Sequence, residues 1–70
     1  MRESFIVFNG AEKPLGAGTL AGLLRQAGVA LETRGLAVAI NEAVVPRRAW
    51  EDTAVQPGDR VEVVKMFSGG

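Results

Sequence analysis

The sequence predicts an α+β domain in which one helix lies on one face of a mixed β-sheet. Three observations point there. Runs rich in β-branched and aromatic residues stand near both ends and in the middle of the chain: "SFIVF", "GLAVAI" and "RVEVV". Between the first two, Leu20, Leu23, Leu24 and Ala27 fall at i, i+3, i+4 and i+7, a single apolar stripe at helical period. The order of elements, strands first, then one helix, then more strands, leaves that helix to cover one face of the sheet.

Each element has a local reason. Glu3 to Phe8 forms the first strand and meets Asn9-Gly10, after which Ala11 to Leu15 returns. Asn-Gly between extended segments favours a type I′ hairpin turn, because both residues tolerate positive φ. Pro14 has no N–H to offer a neighbour, so the second arm is expected at a sheet edge or to end early. Thr19 stands where its hydroxyl would cap a helix starting at Leu20, and Gly28 suits the left-handed position beyond the helix end. Gly22 weakens this helix by about 1 kcal/mol relative to alanine, so docking on the sheet must hold it.

Leu36, Val38 and Ile40 alternate with Ala37 and Ala39, as a strand with one face in a core requires. Asn41-Glu42 bends tightly into a short strand, Ala43 to Val45, which Pro46 stops. "RRAWEDTAV" reads as a turn or short helical loop whose Trp50 anchors one end of the sheet. Pro57-Gly58 suits a type II turn. The last strand, Asp59 to Phe67, alternates Val61 and Val63 with Arg60 and Glu62 and runs into Ser68-Gly69-Gly70.

This order is that of the β-grasp, or ubiquitin-like, fold: a mixed four- to five-stranded sheet, one main helix on one face, and first and last strands parallel at the centre. The expected core is Ile6, Phe8, Leu20, Leu23, Leu24, Val38, Ile40, Val61 and Val63. The expected boundaries are a domain over residues 1–67 and a flexible Gly-Gly tail over residues 68–70.

Composition narrows the chemistry. Seventy residues form one small domain, and with 47% apolar residues its core must carry the fold. With no cysteine there is no disulfide, no iron–sulfur ligation and no thiol nucleophile. With no histidine the commonest general base and metal ligand is missing. Eight basic residues against eight acidic ones give no surplus of positive charge for nucleic acid. No apolar run reaches membrane-spanning length and no signal-peptide core opens the chain, so a soluble cytoplasmic protein that binds neither membrane nor nucleic acid is expected. Glu51 and Asp52 are adjacent and point different ways, which argues against an acid–base pair.

The terminal glycines add nothing to a core, so they are either a frayed end or the working part. The segments "AVAINEAVVPRRAW" and "VQPGDRVEVV", with Val45-Pro46-Arg47, Trp50, the Gly58-Asp59 turn and Gly69-Gly70, resemble the thiamine-biosynthesis sulfur carriers, the ThiS family. The similarity runs over nearly the whole chain. One departure is Asn41-Glu42-Ala43, where many relatives place a glycine in the bend.

The resemblance implies a carrier rather than an enzyme, with no tightly bound cofactor. A ubiquitin-activating-type adenylyltransferase would use ATP and Mg²⁺ to adenylate the carboxylate of Gly70. A donor such as a cysteine desulfurase system would supply sulfur to make a thiocarboxylate, and thiazole synthase would take it into the thiazole of thiamine. Ser68 and Gly69 would form the arm that delivers Gly70. Carriers of other pathways share the fold and tail: the small subunit of molybdopterin synthase, and carriers serving cysteine or tRNA thiolation. A ubiquitin-like modifier and a passive β-grasp module are the readings from other classes.

Val64, Met66 and Phe67 lead into the tail and either pack against Phe5 and Val7 or form an apolar docking patch. Arg47-Arg48 reads as a solvated pair, with Arg47 also a candidate for contact with an acidic partner surface. Lys65 reads as a solvated strand residue.

Overall fold

The first reversal of the chain is set by Asn9 and Gly10, whose φ angles of 49° and 84° are those of a type I′ turn. The computed structural model describes residues 4–16 and 18–65. Around this turn β1 (Phe5–Phe8) pairs antiparallel with β2 (Ala11–Pro14), placing Phe8 opposite Ala11 and Phe5 opposite Pro14. β2 lies at the sheet edge, where the missing N–H of Pro14 disrupts no ladder.

Helix α1 (Leu20–Gln26) has only seven residues, too few to stand alone, so its ends and its packing must hold it. The Thr19 side chain accepts the Gly22 N–H at 3.1 Å, and the Thr19 carbonyl accepts that of Leu23 at 2.9 Å. The carbonyls of Thr53 and Trp50 accept the N–H groups of Leu20 and Ala21 at 2.8 and 2.9 Å. The Leu23 bond is the first of the helix's own ladder. The three otherwise orphaned donors before it, Leu20, Ala21 and Gly22, are satisfied, two of them by a distant loop. At the other end Gly28 takes φ 83°. Its N–H donates to Arg25 at 3.0 Å and the Val29 N–H to Leu24 at 2.9 Å, the pair of bonds of a Schellman motif.

β3 (Leu36–Ile40) and β4 (Ala43–Val45) form a second hairpin through Asn41 and Glu42, at φ 51° and 72°. A 3₁₀ turn, Arg47–Ala49, follows Pro46. Gly58 takes φ 87° in the last turn, which Asp59 closes by donating to Gln56 at 3.1 Å. β5 (Arg60–Lys65) then enters the middle of the sheet. The strand order is β2-β1-β5-β3-β4, with β5 parallel to β1 and antiparallel to β3. This is the β-grasp arrangement expected from the sequence. The expected start of β1 at Glu3, the extension of β5 through Met66 and Phe67, and the tail Ser68-Gly69-Gly70 lie outside the described residues.

The core lies between α1 and one face of the sheet: Ile6, Phe8, Val38 and Val61 from strands, Leu20, Ala21, Leu23 and Leu24 from the helix, with Trp50 and Val55. Ile40 and Val63, expected in the core, are half-buried and pack at its margin. The reason is length. A seven-residue helix spans about 10 Å while a six-residue strand spans about 20 Å, so α1 cannot roof the whole inner face. Loop residues cover the remainder, which explains why Val55 is buried and why Trp50, 2% exposed, belongs to the core itself rather than to an outlying anchor. The indole N–H of Trp50 donates to the Val45 carbonyl at 2.8 Å, so the ring is buried with its polar edge satisfied. No helix among the described residues is long and apolar enough to cross a membrane.

Candidate functional site

β5 is the strand from which the C-terminal residues depart, so its two faces decide what stands beside them. Val61 and Val63 turn inward to the core. Arg60, Glu62 and Val64 turn to the opposite, uncovered face. Register places Val64 opposite Ala37 and Glu62 opposite Ala39, which in turn stands opposite Val44 on β4. The result is a shallow apolar depression of about 200 Å³ lined by Ala37, Ala39, Val44 and Val64, with Glu62 at its side. Val64 is 54% exposed and Val44 75% exposed. The alanines are small enough to leave the floor low between the two valines.

Of the two alternatives for Val64, packing against Phe5 and Val7 does not hold. β1 runs parallel to β5 with Val7 opposite Arg60 and Phe8 opposite Val61, so Phe5 and Val7 flank the start of β5 and not its end. Val64 therefore belongs to the open depression. Val44 was missed as its companion, although a signal was present: Val45 pairs with the buried Val38, so strand alternation must turn Val44 outward.

Arg47 stands away from this depression. Its guanidinium donates to the Leu31 carbonyl and, at 2.7 Å, to that of Thr33. It also lies over the Trp50 ring, 4.7 Å from its centroid. This side chain ties the loop after α1 to the 3₁₀ turn, a structural task that the sequence reading did not foresee. Nearby, Arg25 and Glu51 form an exposed ion pair. Met66, Phe67, Ser68, Gly69 and Gly70, also expected at the site, lie outside the described residues.

A five-stranded sheet roofed by one short helix, with β5 central and one face left uncovered by the other described residues, defines a small ubiquitin-like domain. The model of the ThiS family matches residues 6–70, Gly69-Gly70 included. The chain is 38% identical over 68 residues to the sulfur carrier protein ThiS of Escherichia coli, covering 93% of this chain and 97% of that one. It is 39% identical over 62 residues to the sulfur carrier protein ThiS of Thermus thermophilus, covering 89% and 94%. A thiazole synthase of Paramagnetospirillum magneticum is 36% identical over 66 residues; these are 93% of this chain, which spans only 20% of that protein's length. Among solved structures, the crystal structure of the thiamine biosynthesis protein ThiS from Geobacter metallireducens superposes with a TM-score of 0.79 at 30% identity, covering 94% of this chain and 99% of that one. The chain belongs to the ThiS family.

Proposed function

We propose that this protein is a sulfur carrier of thiamine biosynthesis, working in the cytoplasm as a co-substrate rather than a catalyst, with Gly70 as the residue that bears the sulfur. The observation that carries the reading is the family match, which runs through Gly70, joined to 38% identity along nearly the full length of a sulfur carrier.

The chemistry follows from what a carboxylate is. With an ordinary pKa of about 3.3–3.7, a C-terminal carboxyl is ionised at neutral pH and resists attack by a sulfur nucleophile. In the proposed sequence a carboxylate oxygen of Gly70 attacks the α-phosphorus of ATP, and pyrophosphate leaves. The acyl-adenylate then has AMP as its leaving group. A hydrosulfide-equivalent nucleophile adds to the carbonyl carbon, the C–O bond to AMP breaks, and a thiocarboxylate remains. On thiazole synthase the thiocarboxylate sulfur bonds to the thiazole precursor. Water attacks the Gly70 carbonyl carbon, the C–S bond breaks so that sulfur stays with the precursor, and the carboxylate is regenerated.

ATP and Mg²⁺ enter with a ubiquitin-activating-type adenylyltransferase, which must offset the repulsion between carboxylate and phosphates. A donor such as a cysteine desulfurase system supplies the sulfur. The carrier contributes a docking face and an arm. The apolar depression of Val44 and Val64 is the face; exposed valines flanking a low floor gain by being covered. Gly69 and Gly70, without Cβ atoms, pass where a bulkier tail would not, and ordering them costs entropy that the face must offset. Having no cysteine, the carrier offers the activated acyl group no internal thiol as a competitor. A thiazole synthase relative that contains a stretch like this chain supports the pairing with thiazole synthase.

The test is the mass of the protein recovered from its own cells, with the C-terminal peptide sequenced by tandem fragmentation. Oxygen-to-sulfur exchange adds about 16 Da, nearly the mass of a methionine oxidation at Met1 or Met66, so the gain must be localised. Sulfur on Gly70 is expected. An unmodified Gly70 after incubation with ATP, the adenylyltransferase and a sulfur source would overturn the reading.

A further inference from the structure

Two asparagines grip β5 from opposite sides, each from left-handed backbone. Asn9 follows the last residue of β1 at φ 49°. Its N–H donates to the Val61 carbonyl at 2.9 Å, and its side-chain Oδ1 accepts the Val63 N–H at 2.8 Å. In a parallel ladder the Val63 N–H would go to the next carbonyl of the neighbouring strand. Here the chain has already turned into Gly10, and the side-chain amide oxygen takes that carbonyl's place. Asn41 does the same where β3 turns away, at φ 51°. Its N–H donates to Arg60 at 2.7 Å and its Oδ1 accepts the Arg60 N–H at 2.9 Å. The remaining amide protons of Asn41 include one donated to Asp59 Oδ1 at 3.0 Å. Asparagine suits both places because its short side chain tolerates the left-handed region and still offers an acceptor.

The two grips hold different parts of β5. Asn41 fixes its start. Among the described residues β1 is in register with β5 at Arg60 and Val61, so Asn9 extends the β1 side of the ladder to Val63. With that bond removed, the ladder pairing of Val63 and Val64 among the described residues would rest on β3. A strand held along one edge twists and frays more readily than one held on both. Gly70 stands five residues beyond Lys65, so the direction in which β5 leaves the sheet sets where the arm begins.

We propose that Asn9 is a positioning residue for the reaction at Gly70: by pinning Val63 it aims the end of β5. This rests on the sulfur-carrier reading. Asn9→Gly keeps the left-handed backbone and loses the acceptor; Asn9→Asp keeps both; Asn41→Gly loses the corresponding bond at the far end of β5. In the full chain, two quantities are measured: amide exchange at Val63, and carrier-dependent ATP–pyrophosphate exchange by the adenylyltransferase of the same organism over a range of carrier concentrations.

For Asn9→Gly the Val63 amide is expected to exchange roughly three- to tenfold faster, as the loss of one hydrogen bond implies. The kcat is expected to fall about fivefold with KM unchanged within twofold, because the docking face is intact while the end is misplaced. Asn9→Asp is expected to restore both, and Asn41→Gly to leave kcat within twofold of the unsubstituted chain. A faster Val63 amide with unchanged kcat would make Asn9 merely structural and overturn the proposal. So would an equal fall in kcat for Asn41→Gly, or a Val63 amide indifferent to Asn9→Gly. If the unsubstituted chain drives no exchange at all, the carrier reading itself fails, whatever the Val63 amide shows.

Discussion

Arg47 lies across Trp50, its guanidinium carbon 4.7 Å from the ring centroid, while its nitrogens hold the Leu31 and Thr33 carbonyls. One exposed side chain thus joins two loops that share no backbone pairing. Planarity is what makes this possible: the fork reaches two carbonyls and stacks at once, which a lysine ammonium cannot do. Arg47→Lys is expected to lower stability by about 0.5–1 kcal/mol, since the charge stays but the fork and the stacking go. Thermal unfolding followed by Trp50 fluorescence should show a midpoint lower by a few degrees, and an unchanged midpoint would deny Arg47 its clamping role.

Trp50 itself is held by more than hydrophobic contact. Its indole N–H is bonded to Val45, and its own carbonyl accepts from Ala21 in the first turn of α1. Trp50→Phe keeps a ring but abandons the Val45 bond and leaves unfilled volume. An expected loss of about 1–3 kcal/mol combines those two effects. In a domain whose core supplies only about 3–5 kcal/mol, a urea midpoint should drop by a large fraction of its value. Trp50→Ala, expected to lose about 3–5 kcal/mol, should leave the chain largely unfolded at room temperature.

These two residues also mark where sequence reading stops. Turns were legible because Asn9, Gly10, Gly28 and Gly58 adopt the positive φ that their residue types favour. The strands and α1 followed from alternation and from the leucine stripe, and the outward-facing Val64 from its place on β5. "RRAWEDTAV" has no period, so the burial of Val55 and the depth of Trp50 could not be read from it. The bonds of Arg47 span 14 and 16 residues, and that of Asn9 to Val63 spans 54; neither leaves a local pattern. Side chains that act across the fold are visible only once the fold brings their partners close.

Glu42 is strained where a glycine would rest. At φ 72° its Cβ lies in the region that costs an L-residue roughly 1–2 kcal/mol. An exposed ion pair with Arg60 at 3.2 Å offsets little of this. Glu42→Gly relieves the strain but gives the unfolded chain more freedom, worth about 0.4–1 kcal/mol in the opposite direction. A net gain of about 0.5–1 kcal/mol is expected, raising the thermal midpoint by several degrees in a domain of this size. A fall in the midpoint would show that the bend favours a side chain here.

Substitution of Val64 tests the proposed docking face apart from the fold. It is more than half exposed and touches the apolar depression rather than the core. Val64→Asp is expected to move the thermal midpoint little. Placed in a covered apolar contact, the same carboxylate would be desolvated without a partner, which is costly. Binding of the adenylyltransferase, measured by calorimetry, should weaken at least about tenfold, or 1.4 kcal/mol. Undiminished affinity would place the docking surface elsewhere.

Removal of Gly70 tests the arm with the least disturbance to the fold. Val63 is the last described residue packed on the core, and Gly70 stands seven positions beyond it. Nothing in the packing argument therefore requires the terminal residue, and the thermal midpoint of the deletion variant should match that of the full chain within about a degree, as surface changes away from special features usually do. Its chemistry should not survive. The carboxylate would move back by one residue, about 3.3–3.6 Å of chain, in a reaction where misplacement by about 1 Å is expected to lower the rate about a hundredfold. Adding a third glycine after Gly70 should fail for the mirror-image reason, the carboxylate overshooting the nucleotide. Thiazole formation in a reconstituted system, with both variants shown folded by circular dichroism, reads the outcome. If either variant matched the full chain in rate, the reacting end would not be set by Gly70, and the length of the arm would carry no information.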